Sequence, residues 1–253
     1  MTVHFIGAGP GAADLLTVRA VDLLRSSRVC LYAGTYLDDA VLGHCPADAT
    51  LIDTQQLNLD QIVEHLVEAN AAGHDVARLC SGDPTIYSAL AEQTERLDAE
   101  GVPWDVTPGV PAYAAAAAVL RAELTVPELV QSVVLTRAQA RSTAMPASEA
   151  LANFAKTRAT VVLHLAITRI GEAARDLLPE YGPACPVAVV YRASQPNELV
   201  IRGTLADIED RVAAANLRQA AVIIVGAALE PDRVVRSHLY DPCRVRPTGD
   251  DPQ

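Results

Sequence analysis

Lysine is almost missing from this chain: Lys156 is the only one in 253 residues. Nearly all positive charge is therefore arginine, whose planar fork grips carboxylates and phosphates bidentately. A genome that favours Arg and Ala codons produces the same bias. Positive charge as a whole is also short, with 20 Lys and Arg against 31 Asp and Glu and a formal net charge of −11. That balance argues against a general nucleic-acid binder, while leaving room for a local basic pocket that takes an anionic ligand. Aromatic residues make up only 4% of the chain. The core must then be built from Ala, Val, Leu and Ile. Half of the residues are hydrophobic, enough for a sizeable globular core in one large or two modest domains.

Cysteine is scarce and badly spaced for structural work. Cys30, Cys45, Cys80, Cys185 and Cys243 are five, an odd number, with no C-x-x-C pair. This excludes a zinc ribbon or a full disulfide framework and fits a reducing cytosol. His4, His44, His65, His74 and His164 show no ligand spacing, so no metal is expected. Long hydrophobic runs are missing too. Ala112–Leu120 and Ala220–Leu229 are too short to span a bilayer. The chain enters the strand-like Val3-His4-Phe5-Ile6 without a basic segment followed by a long apolar one. The expectation is a soluble cytoplasmic protein with no membrane partner.

Short β-branched runs alternate with longer helix-period segments, the pattern of an α/β protein with largely parallel sheets. In the first half, strands are predicted at Val3–Ile6, Val29–Tyr32, Thr50–Ile52, Val76–Leu79 and Trp104–Val106. Helices are predicted at Asp14–Arg25, with Asp14 as N-cap, Asp60–Ala72 and Thr85–Glu100. In the Asp60 segment, Ile62, Leu66 and Ala69 fall on one face, opposite Glu64, His65 and Glu68. After a helix around Tyr113–Arg121, strands are predicted at Ser132–Thr136, Thr160–Leu165, Val187–Tyr191, Leu199–Arg202 and Val222–Val225. The pair Val187–Tyr191 and Leu199–Arg202 is joined across Ser194-Gln195-Pro196-Asn197. Leu124-Thr125-Val126-Pro127-Glu128 reads as a linker between domains at 1–121 and 122–253, and Arg244–Gln253 as a frayed tail.

Three loops carry the chemistry. Gly7-Ala8-Gly9-Pro10-Gly11 follows a strand and precedes a helix, where glycines permit positive φ and close approach to a ligand. A dinucleotide-binding unit opens in the same way. Pro10, however, removes an N–H that a pyrophosphate would use. The second strand ends in Tyr32-Ala33-Gly34, without the acid that would hold a ribose. No Walker motif is present, since neither glycine run leads into Lys-Ser or Lys-Thr. Ser81-Gly82-Asp83-Pro84-Thr85 lies at the carboxyl end of its strand, the edge where open α/β sheets place ligands. Asp83 can accept from ribose hydroxyls or a cationic amine, and it can equally cap a helix starting at Thr85. Thr107-Pro108-Gly109-Val110-Pro111-Ala112 ends the next strand.

Taken together, Ile6–Gly11 with Asp14–Thr17, Ser81–Pro84 with Ile86-Tyr87, and Thr107–Val110 resemble the tetrapyrrole (corrin and porphyrin) methylases in order and spacing. The likeness covers almost the whole chain. Glu123–Leu129, Gln131–Arg137, Leu31–Ala33 and Leu239-Tyr240-Asp241 are similar to the branch that methylates C-11 of precorrin-4 in cobalamin synthesis. The resemblance implies two α/β domains with a cofactor cleft between them, a homodimer, and transfer of methyl from S-adenosylmethionine, leaving S-adenosylhomocysteine. The matching cofactor positions are Pro10, Ser81, Gly82, Asp83, Ile86, Pro111, Ala112, Leu165, Ala193 and Ala221. Arg137, Arg141 and Arg192 are candidates for the substrate's carboxylates. Relatives acting on uroporphyrinogen carry Asp after the Tyr that matches Tyr32; here Ala33-Gly34 follows. No catalytic base is assigned, and Tyr32, Tyr36 and Asp38 are the nearby possibilities.

Overall fold

The computed structural model describes residues 1–34, 37–138 and 144–230. It divides into two compact units, Met1–Leu120 with Val190–Val200, and Arg121–Val189 with the chain from Ile201 onward.

The first unit alternates strand and helix: β1 (Val3–Gly7), α1 (Val18–Ser26), β2 (Val29–Tyr32), α2 (Asp39–Leu42), β3 (Thr50–Asp53), α3 (Leu59–Ala71), β4 (Val76–Cys80), α4 (Leu90–Ala99), β5 (Trp104–Thr107) and α5 (Ala112–Leu120). The five strands form one parallel sheet in the order β3-β2-β4-β1-β5. Its central strands are buried on both faces, so they read as nearly unbroken apolar runs rather than alternating ones. Ile6, Cys30, Ala77 and Leu79 pack with Ala20, Leu24 and Val41 of α1 and α2. Val3, Phe5, Leu31 and Val76 pack with Leu66 and Leu97 of α3 and α4.

Connections from β1 and β2 run one way along this sheet, and those from β3 and β4 run the other. Right-handed crossovers in opposite directions place their helices on opposite faces, as the two cores require. The reversal falls between neighbours β1 and β4. A crevice opens at such a switch point, outside the carboxyl ends of the strands.

All five predicted strands of this unit are present, but two helices start later than their sequence suggests. Asp14 lies in a 3-10 turn, Ala13–Leu15, and is not the cap of α1. Thr17 caps α1 instead, its hydroxyl accepting from the Ala20 N–H at 3.1 Å. The helix predicted from Thr85 begins only at Leu90, because Tyr87 and Ala89 have φ of 55° and 54°, incompatible with a right-handed helix. In α3 the capping box of Asn58 and Gln61 sets the start. Leu66 is fully buried beneath it, with Ile62 and Ala69 packed on the same core.

The second unit contains β6 (Val133–Arg137), α6 (Leu151–Ala155), β7 (Thr160–His164), α7 (Ile170–Tyr181), β8 (Pro186–Tyr191), β9 (Leu199–Thr204), α8 (Ile208–Ala214) and β10 (Ala221–Val225), except that Val190–Tyr191 of β8 and Leu199–Val200 of β9 are counted with the first. Its sheet runs β6-β7-β10-β8-β9, with β6 parallel and β10 antiparallel to β7. Alternate residues Val161, Leu163, Val187, Val189, Ile223 and Val225 form its core with α7 and α8. The segment Leu124–Glu128 is anchored within this unit: Leu124 O accepts from the Thr160 hydroxyl at 2.8 Å, and Val126 N–H donates to Val130 O at 2.7 Å. Among the described residues, no helix is long and apolar enough to cross a membrane. Arg141, Tyr36, Cys243 and the segments Leu239–Asp241 and Arg244–Gln253 lie outside the described residues.

At the carboxyl edge of the first sheet, backbone meets backbone. A Cβ on Gly109 would lie 2.8 Å from Gly7 Cα, and one on Gly7 would lie 2.8 Å from Gly82 O. No flexible side chain is there to yield. Gly109→Ala should therefore cost about 2 kcal/mol or more in urea unfolding. Gly73→Ala has open space at a φ of 81° and should cost only about 1 kcal/mol. Equal costs for the two would show that the contact is loose.

Candidate functional site

The three chemistry-bearing loops leave the neighbouring strands β4, β1 and β5 at this edge. Ala8 N–H donates to Cys80 O at 2.8 Å. Gly9 and Gly82 exchange both backbone hydrogen bonds, Gly9 N–H to Gly82 O at 3.1 Å and Gly82 N–H to Gly9 O at 2.8 Å. Their φ values of 69° and 68° explain why both positions are glycine. Gly82 also lies against the start of α5: a Cβ on it would sit 3.6 Å from Pro111 Cα and Ala112 N. Gly82, Pro111 and Ala112 are thus brought together with the glycine run.

Asp83 caps no helix, since α4 starts seven residues beyond it. Its Oδ1 accepts from the Thr85 N–H at 2.8 Å and from the Thr85 hydroxyl, while Oδ2 accepts from the Gly109 N–H at 3.0 Å. Burial pushes this carboxyl up, but the hydrogen bonds from Thr85 and Gly109 outweigh it and hold the group below its ordinary value. The stability they contribute is present above the unfolded-state pKa of about 3.9 and is lost as pH falls through the lower folded value. A carboxylate offers roughly four acceptor sites. Three donors leave Asp83 able to take a fourth, from a ligand.

Pro10 is buried, and its carbonyl accepts from Gln195 Nε2 at 2.9 Å. Ala12 N–H donates to the Ser194 hydroxyl at 3.3 Å. The β8–β9 turn therefore docks on the glycine run and brings buried Ala193 to the same region. Gly11, with φ of 140°, leaves the room that Gln195 occupies: a Cβ there would lie 2.6 Å from Gln195 Cγ. The sequence marks Ser194 and Gln195 only as turn residues, because nothing local signals a contact 185 positions away. Ala193 sits between two left-handed residues, Arg192 at 46° and Ser194 at 70°. Ser194 N–H is held by Glu198 Oε2 at 2.7 Å.

Ser81 is exposed at the end of β4, and Ile86 is half-buried in the loop before α4. Leu165 and Ala221 belong to the second unit. Leu165 is read from sequence as the end of a core strand, yet it is 64% exposed. Its φ of 53° turns it out of β7 after His164. Ala221 opens β10 and is half-buried. Arg137 ends β6. The Arg192 guanidinium lies 5.5 Å from the Tyr191 ring centre, and among the described residues its buried Nε has no hydrogen-bond partner.

Near Ala33-Gly34, Asp38 caps α2 through the Ala40 N–H at 2.9 Å. Burial, followed by the negative charge of Asp53, raises the Tyr32 phenol above its ordinary value, which disfavours it as a base at neutral pH. Sequence reasoning passed over Asp53. It ends β3 with Oδ1 accepting from Gly34 N–H at 3.3 Å and Gln55 N–H at 3.0 Å. An acid at the carboxyl end of a strand is the signal that could have flagged it. Among the described residues, no group of three His, Cys, Asp or Glu is placed to hold a metal.

Comparison with known proteins places this geometry in a family. The family model for tetrapyrrole (corrin/porphyrin) methylases matches residues 2–209. A precorrin-4 C(11)-methyltransferase of Rhodococcus erythropolis is 54% identical over 248 residues, spanning 98% of this chain and 100% of that protein. The X-ray structure of a cobalt precorrin-4 methyltransferase, CbiF, is 36% identical with a TM-score of 0.88, covering 91% of this chain and 96% of that one. A uroporphyrin-III C-methyl transferase from Thermus thermophilus, complexed with S-adenyl homocysteine, is 27% identical with a TM-score of 0.76, covering 91% and 94%. With the family model matched over residues 2–209 and a 54% identical relative covered along its whole length, the chain belongs to the tetrapyrrole methylases.

Proposed function

We propose that this chain transfers the methyl group of S-adenosylmethionine to C-11 of precorrin-4, giving precorrin-5 in the synthesis of the corrin ring of cobalamin. The observation that carries this reading is the 54% identity to the Rhodococcus protein across 98% of this chain and 100% of that one. The cobalt-precorrin-4 protein, at 36%, is more distant, which favours the metal-free ring as substrate.

The residues of the first unit fit the cofactor. At the β1/β4 switch point they present glycine backbone, the buried Pro10 and Ala193, and one carboxylate with an acceptor site to spare. Such a surface recognises a ligand through shape and main-chain groups, and Asp83 supplies a charged acceptor for a hydroxyl or an ammonium. Pro10, Ser81, Gly82, Asp83, Ile86, Pro111, Ala112 and Ala193 in this unit, with Leu165 and Ala221 in the second, are the proposed contacts. When bound, S-adenosylmethionine supplies an electrophilic methyl on a positively charged sulfur. The chain's own task is to hold the two reactants in line, and prepaid orientation of that kind lowers a barrier by several kcal/mol. Arg192 provides a positive charge for the carboxylate-rich rim of the substrate. No residue is assigned as a base.

We place the enzyme in the cytoplasm as a homodimer. The family resemblance supports the dimer, and cysteine usage supports the compartment. Light scattering after size exclusion should give twice the 26.8 kDa of one chain; a monomer would refute the dimer.

Incubated with S-adenosylmethionine and precorrin-4, the protein should yield a product heavier by one methylene. Carbon NMR with labelled methyl should place it on C-11. Label on another ring carbon would make it a different corrin methylase, and binding without turnover a nucleotide-binding module. Faster turnover of cobalt-precorrin-4 would reverse the assignment of the ring.

Asp83→Ala should fold and lose S-adenosylmethionine affinity by about tenfold or more in calorimetry, the loss of one charge-assisted hydrogen bond. Unchanged affinity would take Asp83 out of the site.

A further inference from the structure

Arg78 lies on the central strand β4, in register with Phe5 and Leu31, which are both fully buried. It is only 8% exposed, and among the described residues no carboxylate comes within ion-pair distance of it. A buried cation without a counter-ion is expensive, and an apolar residue of similar volume would pack this core at lower cost. What the guanidinium gains is hydrogen bonding. Nε donates to Gln93 Oε1 at 3.0 Å, and Nη1 donates to Thr54 Oγ1 at 3.4 Å and to Leu79 O at 3.3 Å.

Two of those partners, Gln93 and Thr54, lead onward to the carboxyl edge of the sheet. Arginine only donates, so the oxygen of the Gln93 amide must face it. The Gln93 amide nitrogen is thereby turned toward the loop before α4, where it donates to Ser88 O at 3.4 Å and Ala89 O at 3.2 Å. The Ser88 hydroxyl in turn donates to Pro84 O. Thr54 donates from Oγ1 to Tyr32 O at 3.1 Å while receiving Arg78. One guanidinium therefore connects to the end of β2 through Thr54 and to the Ser88 and Ala89 carbonyls of the 84–89 loop through Gln93. That loop carries Ile86, follows Asp83 directly, and is held with Tyr87 and Ala89 left-handed. Conformations that cost about 1–2 kcal/mol each persist only where the surroundings over-determine them.

We propose that Arg78, acting through the Gln93 amide, is a positioning residue that sets the 84–89 loop for S-adenosylmethionine, an inference resting on the cofactor reading above. It touches neither reactant. Its effect is to orient an amide that would otherwise be free to flip, and so to fix the two carbonyls that close the loop.

Gln93→Glu tests this directly. The carboxylate keeps an acceptor for Arg78 and gives it a counter-ion, so the core should hold and the melting temperature should stay within about 4 °C of the parent. It has no donor for Ser88 O and Ala89 O, so the loop is released. Amide hydrogen exchange of residues 85–90 should speed up about tenfold or more. The KM for S-adenosylmethionine and the Kd for S-adenosylhomocysteine should rise by about tenfold, while the KM for the tetrapyrrole changes less than about twofold. A merely structural role would not separate the two KM values. Unchanged exchange, or faster exchange with unchanged cofactor affinity, overturns the proposal. An effect seen in Gln93→Met but not in Gln93→Glu also overturns it, by assigning the loss to packing around Arg78. If the parent protein itself fails to bind S-adenosylhomocysteine, the cofactor reading falls first, and this role falls with it.

Discussion

Main-chain approach without side chains is the constraint around which the first unit is organised. Gly9 and Gly82 exchange two hydrogen bonds across the ends of β1 and β4, and Gly109 leaves no space for a methyl group against Gly7. Once the three loops are that close, much else follows. Asp83 is near enough to reach the Gly109 N–H. Gly82 lies against the first residues of α5. Pro10 is turned so that its carbonyl meets Gln195. The resulting surface is mostly backbone, and its recognition chemistry is N–H, C=O and a single carboxylate.

A surface of that kind has to be held by its surroundings, because its loops are not relaxed. Tyr87, Ala89, Arg192 and Ser194 all sit in the left-handed region, each within three residues of a proposed contact position of the first unit. Such conformations recur at functional sites because the neighbouring structure imposes them. Here the imposing groups can be named: Gln93 for the loop before α4, and Glu198 for the turn between β8 and β9. Arg78 has the least favourable burial of any charge in this unit, and its hydrogen bonds lead to the loop after β4 and to the end of β2. A buried charge and a loop with two left-handed residues are thereby parts of one network.

The strands were legible because their signal is local. Apolar, β-branched runs bounded by turn residues stay within a few positions of their predicted ends, from Val3–Gly7 to Ala221–Val225. Helix starts were less legible. Thr17 displaces Asp14 as a cap, and the loop before α4 replaces a turn and a half of predicted helix. At α1 two polar residues compete for one role, and the Ala20 N–H settles it on Thr17; at α4 the start follows left-handed residues in a loop tied to Gln93, which Arg78 of another element orients. Leu165 shows the same limit at a strand end: a leucine after Val-Val-Leu-His reads as core, yet a left-handed backbone turns it out to solvent.

By itself, the sequence determined the α/β character, the three edge loops and their order, and with that order the family. Those properties depend on hydrophobic period and on glycines whose φ only glycine adopts cheaply, both of which are written into neighbouring residues. Tertiary structure alone decided that Asp83 bridges to Gly109 instead of capping a helix, that Gln195 meets Pro10 across 185 positions, and that Arg78 is buried with no counter-ion among the described residues. These are pairings between groups far apart in the chain. Which partner a carboxylate, an amide or a guanidinium finds depends on the strand order that brings the loops together, and no local pattern records it.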